Sequence, residues 1–297
     1  MKTRSRRENS HCLYPLDGSG TFRKANRANW RRNTGFWLTG RMRHLADVRP
    51  VTAQLLKSLA VQYQLRPFCV IDMGCGDAWL LRLLRDCRID ADYIGLDFNS
   101  KLIHALARKY SGDKRALFRL ADVERPLPRD LMGRAALVVN CFNFFELPNI
   151  SRAFENAAML LTDEGTLLVL TIDPLSQLLA ISDDYADLAK NLRLYQQLGE
   201  RAAYDKIIDV IGSPRTRLTY KGILYSAATF IRLAKDNSLG LTDYREVRSL
   251  LKWPPQVYQF LLFRPGPHGR SASLLGPLHD LDFVPVKTRP RAPRTER

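Results

Sequence analysis

The chain has 297 residues, with 46 Lys and Arg against 30 Asp and Glu, a formal charge of +16 and a hydrophobic share of 45%. That apolar share excludes a disordered basic polymer and supplies the core of one large domain or two smaller ones. The charge is uneven: residues 1–50 contribute +9 and residues 264–297 contribute +4, so the long stretch between them carries only +3. No run approaches the ~20 apolar residues of a membrane helix, since even 135–147 is interrupted by Asn140, Asn143 and Glu146. The five cysteines, Cys12, Cys69, Cys75, Cys87 and Cys141, contain no C-x-x-C pair. That spacing argues for a reducing compartment and against a disulfide framework or a zinc site. The Arg-rich start lacks the apolar block of a secretory signal, so a cytoplasmic protein without a metal or a membrane partner is expected.

Taken in order, residues 1–28 mix Arg, Asn, Ser and Gly without an apolar period and read as a basic, flexible tail. Residues 29–66 read as a helical cap, broken at Asp47-Val48-Arg49-Pro50. From 67 to 263, short β-rich runs alternate with helix-length segments, with strands expected at 68–72, 91–97, 117–121, 135–141 and 166–172. Such alternation signals a parallel sheet covered by helices. Two more strands, near 241–247 and at 256–263, are joined too briefly for a crossover helix and must pair antiparallel. Residues 174–225 form an insertion too long for a connector, with helical periodicity at 186–198, and read as a lid or substrate wall. Residues 264–297 form a second basic tail, rich in Pro and Gly. The expected fold is α/β: a three-layer αβα sandwich around a seven-stranded, mostly parallel sheet with an antiparallel last strand. N-terminal helices and a helical insertion after the fifth strand complete it.

The chemistry concentrates where the first strand must turn into a helix, at Ile71-Asp72-Met73-Gly74-Cys75-Gly76-Asp77-Ala78. Glycines there let the backbone approach a ligand closely. An acid, Asp97, ends the second strand 21 residues past Gly76, where a carboxylate can accept ribose hydroxyls. A dinucleotide fingerprint needs a third glycine where this chain has Trp79, which disfavours NAD or FAD. Asp72, immediately before Met73-Gly74, would repel a diphosphate and attract a cation.

These runs resemble the motifs of class I S-adenosylmethionine-dependent methyltransferases of the small-molecule type. Val70–Asp77 resembles the first motif, Tyr93–Asn99 the ribose-binding strand end and Leu120-Ala121-Asp122-Val123 the adenine-contacting acid. The stretch 137–149 resembles the fourth strand and its loop, and 160–167 the turn into the fifth. The resemblance spans about 68–172 and implies S-adenosyl-L-methionine as cofactor. Asp72 and Gly74 would hold its methionine part, with Cys75 and Gly76 also binding the cofactor, Asp97 the ribose, Phe98 the adenine face, Asp122 the adenine amino group and the Val123 N–H the ring. Asn140 would border the sulfonium and the acceptor. Trp30, Phe36, Trp37 and Arg41 would fold over the cofactor; an amphipathic surface helix or a nucleic-acid contact are the other readings of that segment.

The chain departs from the pattern in two places: Ala78 replaces the third glycine, and Glu146 stands where many small-molecule members carry a histidine. Glu146 is the candidate base, Asn140 and Tyr225 are further candidates at the reacting centre, and Tyr220 would help line the acceptor pocket. His44, between Arg43 and Leu45, reads as a surface histidine. A small or medium organic acceptor, methylated at O, N or C, is the leading expectation. A nucleic-acid-associated acceptor and a catalytically inactive cofactor-binding scaffold are the alternatives.

Overall fold

The computed structural model describes residues 13–16, 19–32, 48–63, 68–142, 144–209, 217–249 and 256–266. The chain enters with a short strand β1 (Leu13–Pro15) and helix α1 (Ser19–Arg32), then α2 (Arg49–Gln62). Pro50 suits the first turn of α2, where a missing N–H is harmless. The core follows as β2 (Cys69–Met73), α3 (Trp79–Asp86), β3 (Asp92–Asp97), α4 (Ser100–Lys109), β4 (Ala116–Leu120) and β5 (Ala135–Cys141). Next come α5 (Ile150–Leu160), β6 (Leu161–Ile172), α6 (Pro174–Ile181) and α7 (Tyr185–Leu198). The chain closes with β7 (Ala202–Asp209), β8 (Arg217–Ile223), α8 (Ala227–Asp236), β9 (Leu239–Ser249) and β10 (Gln256–Pro265). Side-chain oxygens of Asn99, Asn149, Asp173, Asp184 and Ser226 cap α4 to α8 by accepting a backbone N–H.

The large sheet has seven strands in the order β4-β3-β2-β5-β6-β10-β9. β10 runs antiparallel to both β6 and β9, and the remaining pairs are parallel. Every residue of β2 is buried, as is every residue of β5 except Cys141, because helices cover both faces of a parallel sheet. The chain leaves β2 toward β3 and β4 on one side, and β5 starts the other side. The C-terminal ends of β2 and β5 therefore flank a topological switch point, where open α/β sheets bind ligands.

Three expectations change. The ordered N-terminal part starts within the expected flexible tail, since β1 and most of α1 precede residue 29. The helical cap therefore extends back to Ser19, where the lone Phe22 gave the sequence no visible apolar period although it is buried in the main core. The insertion is not wholly helical: besides α6 and α7 it carries the β7–β8 hairpin, whose edge pairs antiparallel with β1 in a separate three-stranded sheet. One face of this sheet buries Leu13, Tyr204 and Leu224 against Leu178 and Ile181 of α6. Tyr204 lies across Gly222, its ring 2.4 Å from where a β-carbon would sit, and its hydroxyl donates to Gln177 at 2.6 Å. The opposite face turns Ala203 and Ile223 into the main core. There β8 packs on α1 and on the turn at Phe144–Glu146. Among the described residues no helix is long and apolar enough to cross a membrane, and no His/Cys/Asp/Glu group is arranged for a metal.

Candidate functional site

The turn after β2 is held by positive φ at Gly74 (78°), Gly76 (50°) and Ala78 (59°). Ala78 thus keeps the left-handed conformation that a glycine would adopt without strain. The N–H groups of Gly74 and Cys75 both donate to the Leu96 carbonyl of β3, at 2.8 and 2.9 Å. They do not form an open nest for a phosphate.

Carboxylates surround the turn instead. Asp72 is buried, accepts the Tyr93 hydroxyl at 2.7 Å, and is pushed up to about 7 by burial first, with repulsion from Asp97 and Asp77 adding. Asp97, also buried, accepts the N–H of Asn99 at 2.8 Å and of Gly76 at 3.3 Å. Burial raises it to about 6 against these hydrogen bonds. Asp77 pairs with Arg82 at 2.7 Å. A buried acidic set around a turn without a phosphate nest suits a cation bearing a ribose.

A cleft partly open to solvent lies against this turn. Its floor is Gly74, Asp97, Phe98 and the loop Ala121–Glu124; Glu146 and Leu147 form one wall, and Arg23, Asn26, Arg27 and Trp30 of α1 form the roof. Positions 23, 26, 27 and 30 fall on one helical face, the i, i+3, i+4, i+7 pattern. The sequence reading placed Trp30 in the cover but missed Arg23, Asn26 and Arg27; this spacing was the signal that could have found them.

The roof is tied down by polar contacts. Arg23 grips Glu124 with two hydrogen bonds, at 2.7 and 3.1 Å, and Arg27 pairs with Asp122. Trp30 donates its indole N–H to Glu146, and the Asn26 amide donates to the Lys221 carbonyl at 3.0 Å. Below, the Asn156 amide donates to the carbonyls of Val123 and Arg125 at 2.8 and 2.7 Å, fixing the loop that carries Asp122.

Most expected site residues meet here: Gly74, Asp97, Phe98, Asp122, Val123 and Glu146 line the cleft, and Gly76 donates to Asp97. Asp72 and Cys75 are buried at the turn. Asn140 is wholly buried, its amide donating to the Met73 carbonyl while its oxygen accepts the Phe144 N–H, both at 3.1 Å. It braces the two strand ends across the switch point. Tyr225 is buried, packs edge-on against Phe230 and donates its hydroxyl to the Leu147 carbonyl at 3.0 Å, which places it behind the cleft wall. Burial raises its hydroxyl well above the ordinary tyrosine range. Phe36, Trp37, Arg41 and His44 lie outside the described residues, and for Tyr220 only the backbone is described.

Comparison with known proteins agrees with this geometry. Residues 70–165 match the family model described as a methyltransferase domain. Over 104 residues the chain is 32% identical to juvenile hormone acid O-methyltransferase of Bombyx mori, covering 34% of this chain and 37% of that one. Over 103 residues it is 25% identical to methylphloroacetophenone synthase of Cladonia uncialis, covering 33% of this chain and 4% of that one. The match thus spans well under half the length of both curated relatives. Among solved structures, Burkholderia thailandensis 1,6-didemethyltoxoflavin-N1-methyltransferase superposes with a TM-score of 0.55 at 13% identity, over 90% of this chain and 98% of that one. That likeness concerns the fold.

Strand order, ordered motifs and the family match define an α/β domain of the class I methyltransferase type. The matched residues 70–165 are a methyltransferase domain, and the sheet that carries them has the class I, S-adenosylmethionine-dependent architecture.

Proposed function

We propose that the protein transfers a methyl group from S-adenosylmethionine to a small or medium organic acceptor seated beneath α1. The observation that carries this is the cleft at the switch point, floored by Asp97 and the Asp122 loop beside a glycine turn whose first N–H groups already serve β3. The residues present fit the cofactor: Asp97 has a position for ribose hydroxyls, Asp72 supplies negative charge for the cationic end, and Phe98 and Asp122 offer a ring face and an acceptor to adenine. When bound, the sulfonium supplies an activated methyl and its own leaving group, so alignment is the protein's main contribution.

Alignment follows from the bracing. Asn140 fixes the distance between the β2 turn and the β5 loop, and Tyr225 holds Leu147 from behind. The buried Glu146, oriented by the Trp30 indole, stands at the acceptor side and would take the proton of an O–H or N–H acceptor. Arg23 and Arg27, on the cleft roof, are both paired with carboxylates, so the cleft does not present a cationic track to a polynucleotide. The match to an acid O-methyltransferase supports the small-acceptor reading.

Isothermal titration with S-adenosylhomocysteine tests it. The wild type should bind, and Asp97→Ala should weaken binding by about 100-fold or more, as expected for losing a charged acceptor of two hydroxyls. No binding by the wild type, or binding unchanged by the substitution, refutes the reading.

A further inference from the structure

Arg27 occupies the ground that the cofactor reading reserves for adenine. Its guanidinium pairs with the Asp122 carboxylate, lies 3.8 Å from Glu124, and sits over the Phe98 ring with its central carbon 5.4 Å from the centroid. A guanidinium is planar, presents N–H donors at its rim and stacks on aromatic faces. An adenine with its exocyclic amino group offers the same two things to the same two partners. Both cannot hold them at once.

The floor cannot yield. Asn156 binds the carbonyls on either side of Glu124, and Glu124, with its side chain only 2% exposed, accepts the Asn149 N–H at 2.7 Å as well as both Arg23 bonds. The Arg27 side chain makes one hydrogen bond, to Asp122, whereas Arg23 holds the buried Glu124 with two, so the Arg23 pair one helical turn earlier can stay while Arg27 leaves. We propose that Arg27 is a resident mimic of adenine, which latches α1 over the cofactor cleft and is displaced when the nucleoside enters. The proposal rests on the reading that the cleft binds S-adenosylmethionine. It adds that cofactor affinity is set partly by this chain's own competing side chain. Arg23–Glu124 is then the fixed pivot of α1 and Arg27–Asp122 its releasable end.

The test is equilibrium binding measured by titration calorimetry on the full chain, using S-adenosylhomocysteine, adenosine and methionine. Arg27→Met removes the competitor and should tighten S-adenosylhomocysteine and adenosine by about tenfold, the weight of one partly exposed charge-assisted contact; methionine should be unaffected. Arg27→Gln, which keeps a polar side chain at the site, should act in the same direction. Raising salt weakens an ion pair, so wild-type affinity for adenosine should rise between about 0.05 and 0.5 M salt while that of Arg27→Met stays flat. Adenosine affinity that is unchanged or weaker in both variants overturns the latch. A wild type and variants that are folded yet bind neither S-adenosylhomocysteine nor adenosine overturn the cofactor reading itself, a result distinct from binding that is present but indifferent to Arg27.

Discussion

Replacing Asp72 by Asn should make the protein more stable and bind its cofactor less well. The carboxyl sits at 3% exposure between Tyr93 and two other acids, and burial raises it from 3.8 to about 7. The protonated form is therefore the one the fold prefers. A raised acid contributes stability that is fully present below its unfolded value near 4 and is lost as pH rises through about 7. A gap of about 3 units corresponds to at most about 4 kcal/mol by pH 8, of which about 2–3 kcal/mol develops between pH 5 and pH 8. Asn has nearly the same volume and still offers an oxygen to the Tyr93 hydroxyl, so it avoids the charge without opening a cavity. Urea unfolding of both proteins at pH 5 and pH 8, with equal m-values, isolates the effect from other acids that titrate in the range, Asp97 included. The stabilisation by Asp72→Asn should be larger at pH 8 by those 2–3 kcal/mol, and S-adenosylhomocysteine should bind more weakly. An equal effect at both pH values would refute the argument, because it would mean that Asp72 is not forced to ionise against its surroundings.

Three further outcomes follow from the same contacts. Tyr93→Phe leaves the buried Asp72 without the donor now 2.7 Å away; it should destabilise by about 1–3 kcal/mol at pH 8 and by less at pH 5 in urea titrations. Gly222→Ala would place a methyl 2.4 Å from the Tyr204 ring, displacing it from Gln177. It should cost about 2 kcal/mol or more and raise proteolysis around β7 and β8 before the large sheet is affected. Glu146→Gln should lower kcat by about 100-fold with an acceptor that loses a proton, with little change in KM for S-adenosylmethionine, and should remove the acidic limb of the pH profile.

The alternating sheet was legible because its signals are local. Strands at 68–72, 91–97, 117–121 and 135–141 were expected within a residue of their observed ends, since parallel strands, buried in β2, β3 and β5 and at the sheet edge in β4, read as short β-rich runs bounded by helices. The turn at Gly74–Ala78 and Asp97 were legible for the same reason. The roof was not. Arg23, Asn26 and Arg27 belong to a helix whose cleft-facing side is polar, so apolar periodicity started the cap ten residues late, and only Trp30 marked it. The β7–β8 hairpin was hidden in a segment judged by its helices, because its pairing with β1 depends on chain more than 180 residues away. Asn140 and Tyr225 were picked out for chemistry, yet their hydrogen bonds run to backbone carbonyls and an N–H, a distinction that only packing reveals.

That pairing also bears on the order of assembly. Tyr14 of β1 donates to Asp205 of β7, and the two are 191 residues apart. During synthesis the first strand emerges early but has no partner until the hairpin has been made, whereas β2 to β5, with the glycine turn and the Asp122 loop, are complete by then. The half that carries the glycine turn and Asp97 can thus take shape on a nascent chain before the three-stranded sheet is paired, and the docking of β8 on α1 and on the Phe144–Glu146 turn becomes a property of the nearly completed polypeptide.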